Sequence, residues 1–161
     1  MCVLTIIGLV SATTWYQITD PLTNEGLQQV NYQDVGQKEY VLELSNVGNG
    51  KIDILSVMIN GDNTPDTVQL GVTYDSAAMV QVLSNPDPAL KFTDIHASSI
   101  YPKLSLKEFH AALEKKVQTP MQYGLRFRYE KQPIQSVTIR YKYLGFTKVK
   151  TITRWFNDEA K

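Results

Sequence analysis

The sequence predicts a mainly β protein: an antiparallel β-sandwich of two facing sheets, with one crossover α-helix over about residues 105–118 passing from one sheet to the other. Three observations carry this. Apolar and polar residues alternate along several short runs, the period of a strand with one buried face. Turn dipeptides and Pro-containing clusters separate those runs at short intervals. A single stretch, Leu104–Val117, has helical spacing and a helix start signal instead.

Met1–Thr19 holds no charged residue, and Val3–Val10 (VLTIIGLV) is strongly apolar. Val3–Ala12 has the length of a signal-type apolar region, and Trp15 and Tyr16 suit a membrane interface. Residues 3–19 are therefore expected to be an anchor or signal remnant, the alternative being a first strand over Cys2–Val10. Asp20–Lys38 is rich in Asn, Gln, Gly and Asp and reads as a linker or loop, with at most a short strand at Leu27–Tyr32. The sandwich itself is expected over residues 39–157.

Tyr40–Gly61 reads as two strands joined in a hairpin at Asn49-Gly50, because Asn and Gly both tolerate the positive φ of a tight turn. Tyr40, Leu42 and Leu44 share one face of the first strand. On the return strand Ile52 and Ile54 fall out of phase with Val57 and Ile59, which places a bulge near Leu55-Ser56. Asn60-Gly61 and Asp62–Asp66 (DNTPD) form the next turn. In Thr67–Tyr74, residues Val68, Leu70, Val72 and Tyr74 share a face. Ala77–Leu83 is a short apolar run, and a strand fits Ala89–Ile95.

In the helix, Ser105 and Glu108 have capping-box spacing and Leu104 and Phe109 that of a hydrophobic staple. Leu106, Phe109, Leu113 and Val117 form the expected apolar stripe, and Pro120 stops the helix. Beyond it, Leu125, Phe127 and Tyr129 alternate with Arg126, Arg128 and Glu130. Val137, Ile139, Tyr141 and Tyr143 alternate with Thr138, Arg140 and Lys142. Leu144-Gly145 turns the chain into a last strand, Phe146–Trp155.

The 161 residues carry 16 Lys/Arg and 16 Asp/Glu, unevenly placed. Residues 1–100 hold 3 Lys/Arg against 11 Asp/Glu, and residues 101–161 hold 13 against 5. Neither half is a charged tail, so early and late strands are expected to be neighbours whose charges offset. The single cysteine, Cys2, excludes an intramolecular disulfide.

The chemistry-bearing patterns are sparse. There is no HExxH, GxSxG, glycine-rich phosphate loop or paired CxxC, and no cofactor motif. His96 and His110 stand in unlike contexts, and His110 falls on the polar side of the helix. Asn60–Asp66 (NGDNTPD) places carboxylates and amides as a hard cation would want them, but lacks the terminal glutamate of a calcium loop, so a plain turn is preferred. If the two strands after the helix pair as a hairpin, Arg126, Arg128, Arg140 and Lys142 share one open face. That set is the candidate binding site, for a protein, an anionic polymer or lipid headgroups. Nucleic acid is disfavoured, because Phe127, Tyr141 and Tyr143 alternate to the other face.

VLELSNVGNGKIDILSVMING at Val41–Gly61, LGVTYD at Leu70–Asp75 and TPMQYGLRFRYEKQPIQSVTIRYKYLG at Thr119–Gly145 resemble small immunoglobulin-like domains of membrane-anchored or secreted proteins of Bacillus-type bacteria. The resemblance implies an immunoglobulin-like sandwich on the extracytoplasmic side of a cell membrane, and it carries over no catalytic residue. The function expected is a non-enzymatic interaction module. The alternatives are a cytoplasmic accessory domain and a small-ligand-binding or hydrolytic domain with a pocket between helix and sheet.

Overall fold

The computed structural model describes residues 20–32, 37–81 and 87–156. The expected anchor, Cys2 and the polar terminus from residue 157 lie outside the described residues. The strands are β1 (Leu22–Tyr32), β2 (Gln37–Asn46), β3 (Ile52–Ile59), β4 (Thr67–Tyr74) and β5 (Leu90–Thr93). Helix α1 (Leu106–Lys115) follows, then β6 (Pro120–Arg128), β7 (Val137–Tyr143) and β8 (Phe146–Ile152). A five-stranded sheet has the order β1-β2-β6-β4-β5, and a three-stranded sheet the order β3-β7-β8. Every strand pair is antiparallel. The two sheets pack face to face as a β-sandwich. Leu42, Leu125 and Phe127 of the wider sheet and Ile54, Ile139 and Tyr141 of the narrower one are almost wholly buried in one core.

Two expected hairpins do not form. β2 and β3 lie in different sheets, and so do β6 and β7. The reason is the same for both. A lone hairpin buries only one side of its apolar face, whereas placing its two strands in opposite sheets makes those faces cover each other. At the first crossing Asn46, 1% exposed, does the work. Its amide donates to the Gly50 carbonyl (2.7 Å) and the Ile100 carbonyl (3.0 Å), and its carbonyl accepts from the Gly48 amide (3.0 Å). The glycine at 48 is needed for room, because a Cβ there would lie 2.4 Å from the Tyr143 hydroxyl and 2.8 Å from Pro21. At the second crossing Asn60 accepts from the amides of Gln135 (2.6 Å) and Ser136 (3.1 Å) and donates to the Pro133 carbonyl (2.9 Å). That joint delivers β7 alongside β3. The tight two-residue turn lies instead at Leu144-Gly145, with φ of 47° and 90°, between β7 and β8. The bulge in β3 falls where its apolar phase breaks, between Ile54 and Ser56.

Residues 22–32, read as part of a linker, are the edge strand β1, paired with β2 from Leu22↔Asn46 to Tyr32↔Gln37. Its polar composition suits an edge, where half the backbone and most side chains meet water. Leu27 still packs on the core. The outer face of the wider sheet is not an open wet surface either. Val41, Val80 and Leu90 form a second buried cluster there. Val80 sits over the paired glycines Gly71 and Gly124, where an added Cβ would come within 2.5 Å and 2.7 Å of it.

Helix α1 lies on the crossover from β5 to β6, both in the wider sheet, and so does not pass from one sheet to the other. The connection touches the narrower sheet on its way, through the Ile52↔Ile100 bridge. The Ser105–Glu108 capping box is present, and Lys116 closes the helix in the left-handed conformation. The apolar stripe is narrower than expected. Phe109, Ala112 and Leu113 face the protein, while Leu106 and Val117 are exposed. Val117 lies past the left-handed cap, so it no longer follows the helical phase.

Two substitutions test these joints. Asn46→Leu strands three backbone groups at the β2–β3 crossing, and should lower the urea midpoint by the equivalent of about 3 kcal/mol with little change in slope. Gly124→Ala should cost about 1–3 kcal/mol through contact with Val80. Most of that loss should be absent when Gly124→Ala is made in a Val80→Gly background, which removes the Val80 Cβ that the new methyl would meet, as a double-mutant cycle on urea unfolding will read.

Candidate binding groove

The four cations expected to share one face are divided between the two outer faces of the sandwich, because β6 and β7 belong to different sheets. Arg126 and Arg128 sit on the wider sheet beside the buried Glu39, at 3.6 Å and 3.7 Å from its Oε1. Arg126 also donates to Gln69, and its guanidinium lies 3.6 Å above the Phe92 ring. Arg128 donates to Gln37 (3.2 Å), and the Tyr32 hydroxyl donates to Glu39 (3.2 Å). Burial and then the Glu39 charge push the Tyr32 phenol above its ordinary range. These two arginines therefore neutralise a carboxylate that the fold has removed from water. Arg140 and Lys142 are exposed on the outer face of the narrower sheet.

A pronounced concavity lies elsewhere. The wider sheet overhangs the narrower one on the side of β3, which is an edge strand. The segment after β5 closes the gap only in part, plugging the core with Ile95 and Ile100 and pairing Ile100 with Ile52 through two backbone hydrogen bonds of 2.9 and 2.8 Å. What remains is a groove of about 890 Å³ between β3, the end of β4 and residues 95–104. By contrast, the gap between α1 and β6, where a pocket was expected, encloses about 70 Å³.

The polar side of the groove is built on Asp53. The Ser99 hydroxyl donates to its Oδ1 at 2.5 Å, and the Lys51 ammonium lies 3.2 Å from the same oxygen and 3.4 Å from the Ser99 oxygen. The Ser99 hydrogen bond, aided by Lys51 and opposed by burial, holds the Asp53 carboxyl below its ordinary range. His96 lines the groove with its Nδ1 3.2 Å from the Ile54 carbonyl. A carbonyl only accepts, so Nδ1 is the donor in this contact and Nε2 is the ring nitrogen left facing away from it. The aromatic side is Tyr74 and the half-exposed Tyr101. The Tyr101 amide donates to the Tyr123 hydroxyl at 3.1 Å, and burial pushes that phenol up to about 12. Lys91 lies 5.0 Å above the Tyr74 ring.

The Asp53 carboxyl, held below its ordinary range, already takes two donors and is a fixed acceptor on this side of the groove. No group of three or more His, Cys, Asp or Glu side chains converges to hold a metal among the described residues. In the calcium-like stretch, the Asn60 amide serves the β3–β7 joint and not a cation. His110 is exposed and meets the Phe109 ring edge-on. No motif marks the groove residues in the sequence: Asp53 alternates with Ile52 and Ile54 as a solvent-side strand residue does, and Ser99 stands in a stretch without periodicity.

The Ser99 contact can be read by titration. In Ser99→Ala the Asp53 carboxyl resonance should titrate closer to the ordinary carboxylate value in NMR. The folded value lies below the unfolded one, so the Asp53 contribution to stability is complete above pH ~4 and is lost as pH falls through the folded value. The variant should show a shallower acid-side loss of stability than the parent.

Compared with known protein families, curated proteins and solved structures, the chain gives no match, so its site rests on this geometry alone.

Proposed function

We propose that this protein is a non-enzymatic β-sandwich interaction module on the extracytoplasmic side of a bacterial membrane, tethered through residues 3–19, and that its groove takes a protein segment or an anionic envelope polymer. The single observation that carries this is the groove itself. It is open, flanked by Tyr74 and Tyr101, and carries Lys51, Asp53, His96 and Ser99 as fixed donors and acceptors. Aromatic rings beside preset polar groups favour an extended partner bearing hydroxyl or charged groups. The strand order supports an immunoglobulin-like architecture and kinship with the Bacillus-type domains. With β5 set aside, β1-β2-β6-β4 against β3-β7-β8 is the constant-type order of seven strands. The charge-free apolar stretch at Val3–Val10 supports the tether. Among the described residues no helix is long and apolar enough to span a bilayer.

A second reading, a small-ligand-binding or hydrolytic domain, draws on the convergence of Asp53, Ser99, Lys51 and His96 in one groove. The lowered Asp53 value favours ligand holding over acid–base turnover within that reading.

Purified bacterial cell-wall sacculi provide the test. The full chain should co-sediment with intact sacculi, and the paired change Asp53→Asn with Tyr101→Ala should weaken that binding about tenfold or more at a temperature where circular dichroism shows the variant still folded. Sacculi stripped of their anionic polymer should bind less if that polymer is the partner. Unchanged binding by the paired variant would remove the groove from the function.

A further inference from the structure

We propose that the flank formed by β7, β8 and Val47 of the β2–β3 crossing rests on a bilayer surface bearing anionic headgroups. Three observations meet there. The first is apolar exposure. Leu144, Phe146 and Val149 are 53%, 58% and 60% exposed within six residues of the β7–β8 hairpin. Val47, 58% exposed, lies on the β2–β3 crossing, whose neighbouring Asn49 amide is bonded to the Tyr143 hydroxyl at 3.1 Å. A soluble surface spreads such residues singly; gathered at one hairpin they mark a contact.

The second observation is charge. Residues 137–156 contain five Lys/Arg and no Asp/Glu, and of the five Lys150 is paired with Asp20. Arg140 and Lys142 are exposed on the outer face, and in register they stand opposite Val149 and Thr147 of β8. Lys148 and Lys150 alternate to the other side of β8, and Arg154 lies 4.7 Å above the Trp155 ring. Cations flanking aliphatic and aromatic side chains are the composition that enters an interface while the charges remain at headgroup level.

The third observation is where the rest of the chain departs. Asp20 accepts from the Tyr141 hydroxyl at 3.0 Å and lies 2.5 Å from the Lys150 ammonium. The Pro21 carbonyl accepts from the Val47 amide at 2.9 Å. Residues 1–19 therefore join the domain at this flank, beside the exposed apolar residues. Charge, apolar exposure and chain exit meet at the β8 edge of the narrower sheet, and β3, which lines the groove, is its other edge. A domain lying on β8 presents its groove away from the bilayer. In this the inference rests on the tether proposed above; the charge and apolar patterns stand without it.

Hydrogen exchange on the full chain tests the contact. Vesicles of phosphatidylcholine with about 30% phosphatidylglycerol should slow exchange of amides 144–152 about tenfold. Leu90–Thr93, at the far edge of the other sheet, should be unaffected. High salt should remove the slowing, as should the paired variant Arg140→Glu with Lys142→Glu. A Phe146→Ser and Val149→Ser variant should weaken it in low salt. The proposal is overturned if the chain co-sediments with these vesicles while exchange over 144–152 stays unchanged, or slows equally over 90–93. It is also overturned if sacculi, and not vesicles, give the protection. Vesicles of phosphatidylcholine alone separate the two ideas. Failure of the full chain to sediment with them, with 144–152 still protected by the anionic vesicles, would dismiss the tether and keep the face.

Discussion

The structure depends on the side chain of Asn46. It is buried where β2 leaves the wider sheet, and it replaces the ladder bonds that end there with bonds to Gly48, Gly50 and Ile100. Backbone polar groups cannot be buried unpaired, so a chain that switches sheets inside a core needs such a substitute. The same residue ties in residues 100–103: its side-chain amide donates to the Ile100 carbonyl, and its backbone carbonyl accepts from the Lys103 amide at 2.8 Å. One residue thus fixes the crossing that makes two sheets out of one series of strands, and also one wall of the groove.

The width difference between the sheets explains both candidate surfaces. Five strands over three leave β3 overhung on one side, and the segment after β5 fills that side with Ile95 and Ile100 but leaves a groove. On the other side β8 is an edge, and Trp155 reaches from its end to Asn24 of β1 with a 2.5 Å hydrogen bond. The two flanks have opposite characters. One holds fixed polar partners around Asp53; the other is cationic and exposes aliphatic and aromatic groups.

Charge placement follows the topology. Four of the five ion pairs among the described residues join an acid from the first hundred residues to a base from the remainder: Asp20–Lys150, Glu25–Lys103, and Glu39 with Arg126 and Arg128. β2 lies against β6, and Asp20, just before β1, lies against β8, so acids of the early chain meet bases of the late chain at these two places. The arginines are thereby committed to Glu39, which is why composition alone overstated the basic surface.

The sequence by itself determined the elements whose causes are local. Alternation places Val68, Leu70, Val72 and Tyr74 on one face of β4, the capping box begins α1 at Ser105, and the broken phase after Ile54 gives the bulge. Local physics also fixed the fold class, since strands with one apolar face must pair into two layers. Tertiary structure alone decided which strands share a sheet. The Asn49-Gly50 pair looked like a hairpin and became a crossing, because the glycines were needed for close approach to Tyr143 and Leu144 and not for positive φ. The polar run at 22–32 became a strand because β2 offered it an edge. The groove was decided the same way: Asp53 and Ser99 are 46 residues apart, and only the folded chain brings one to the other.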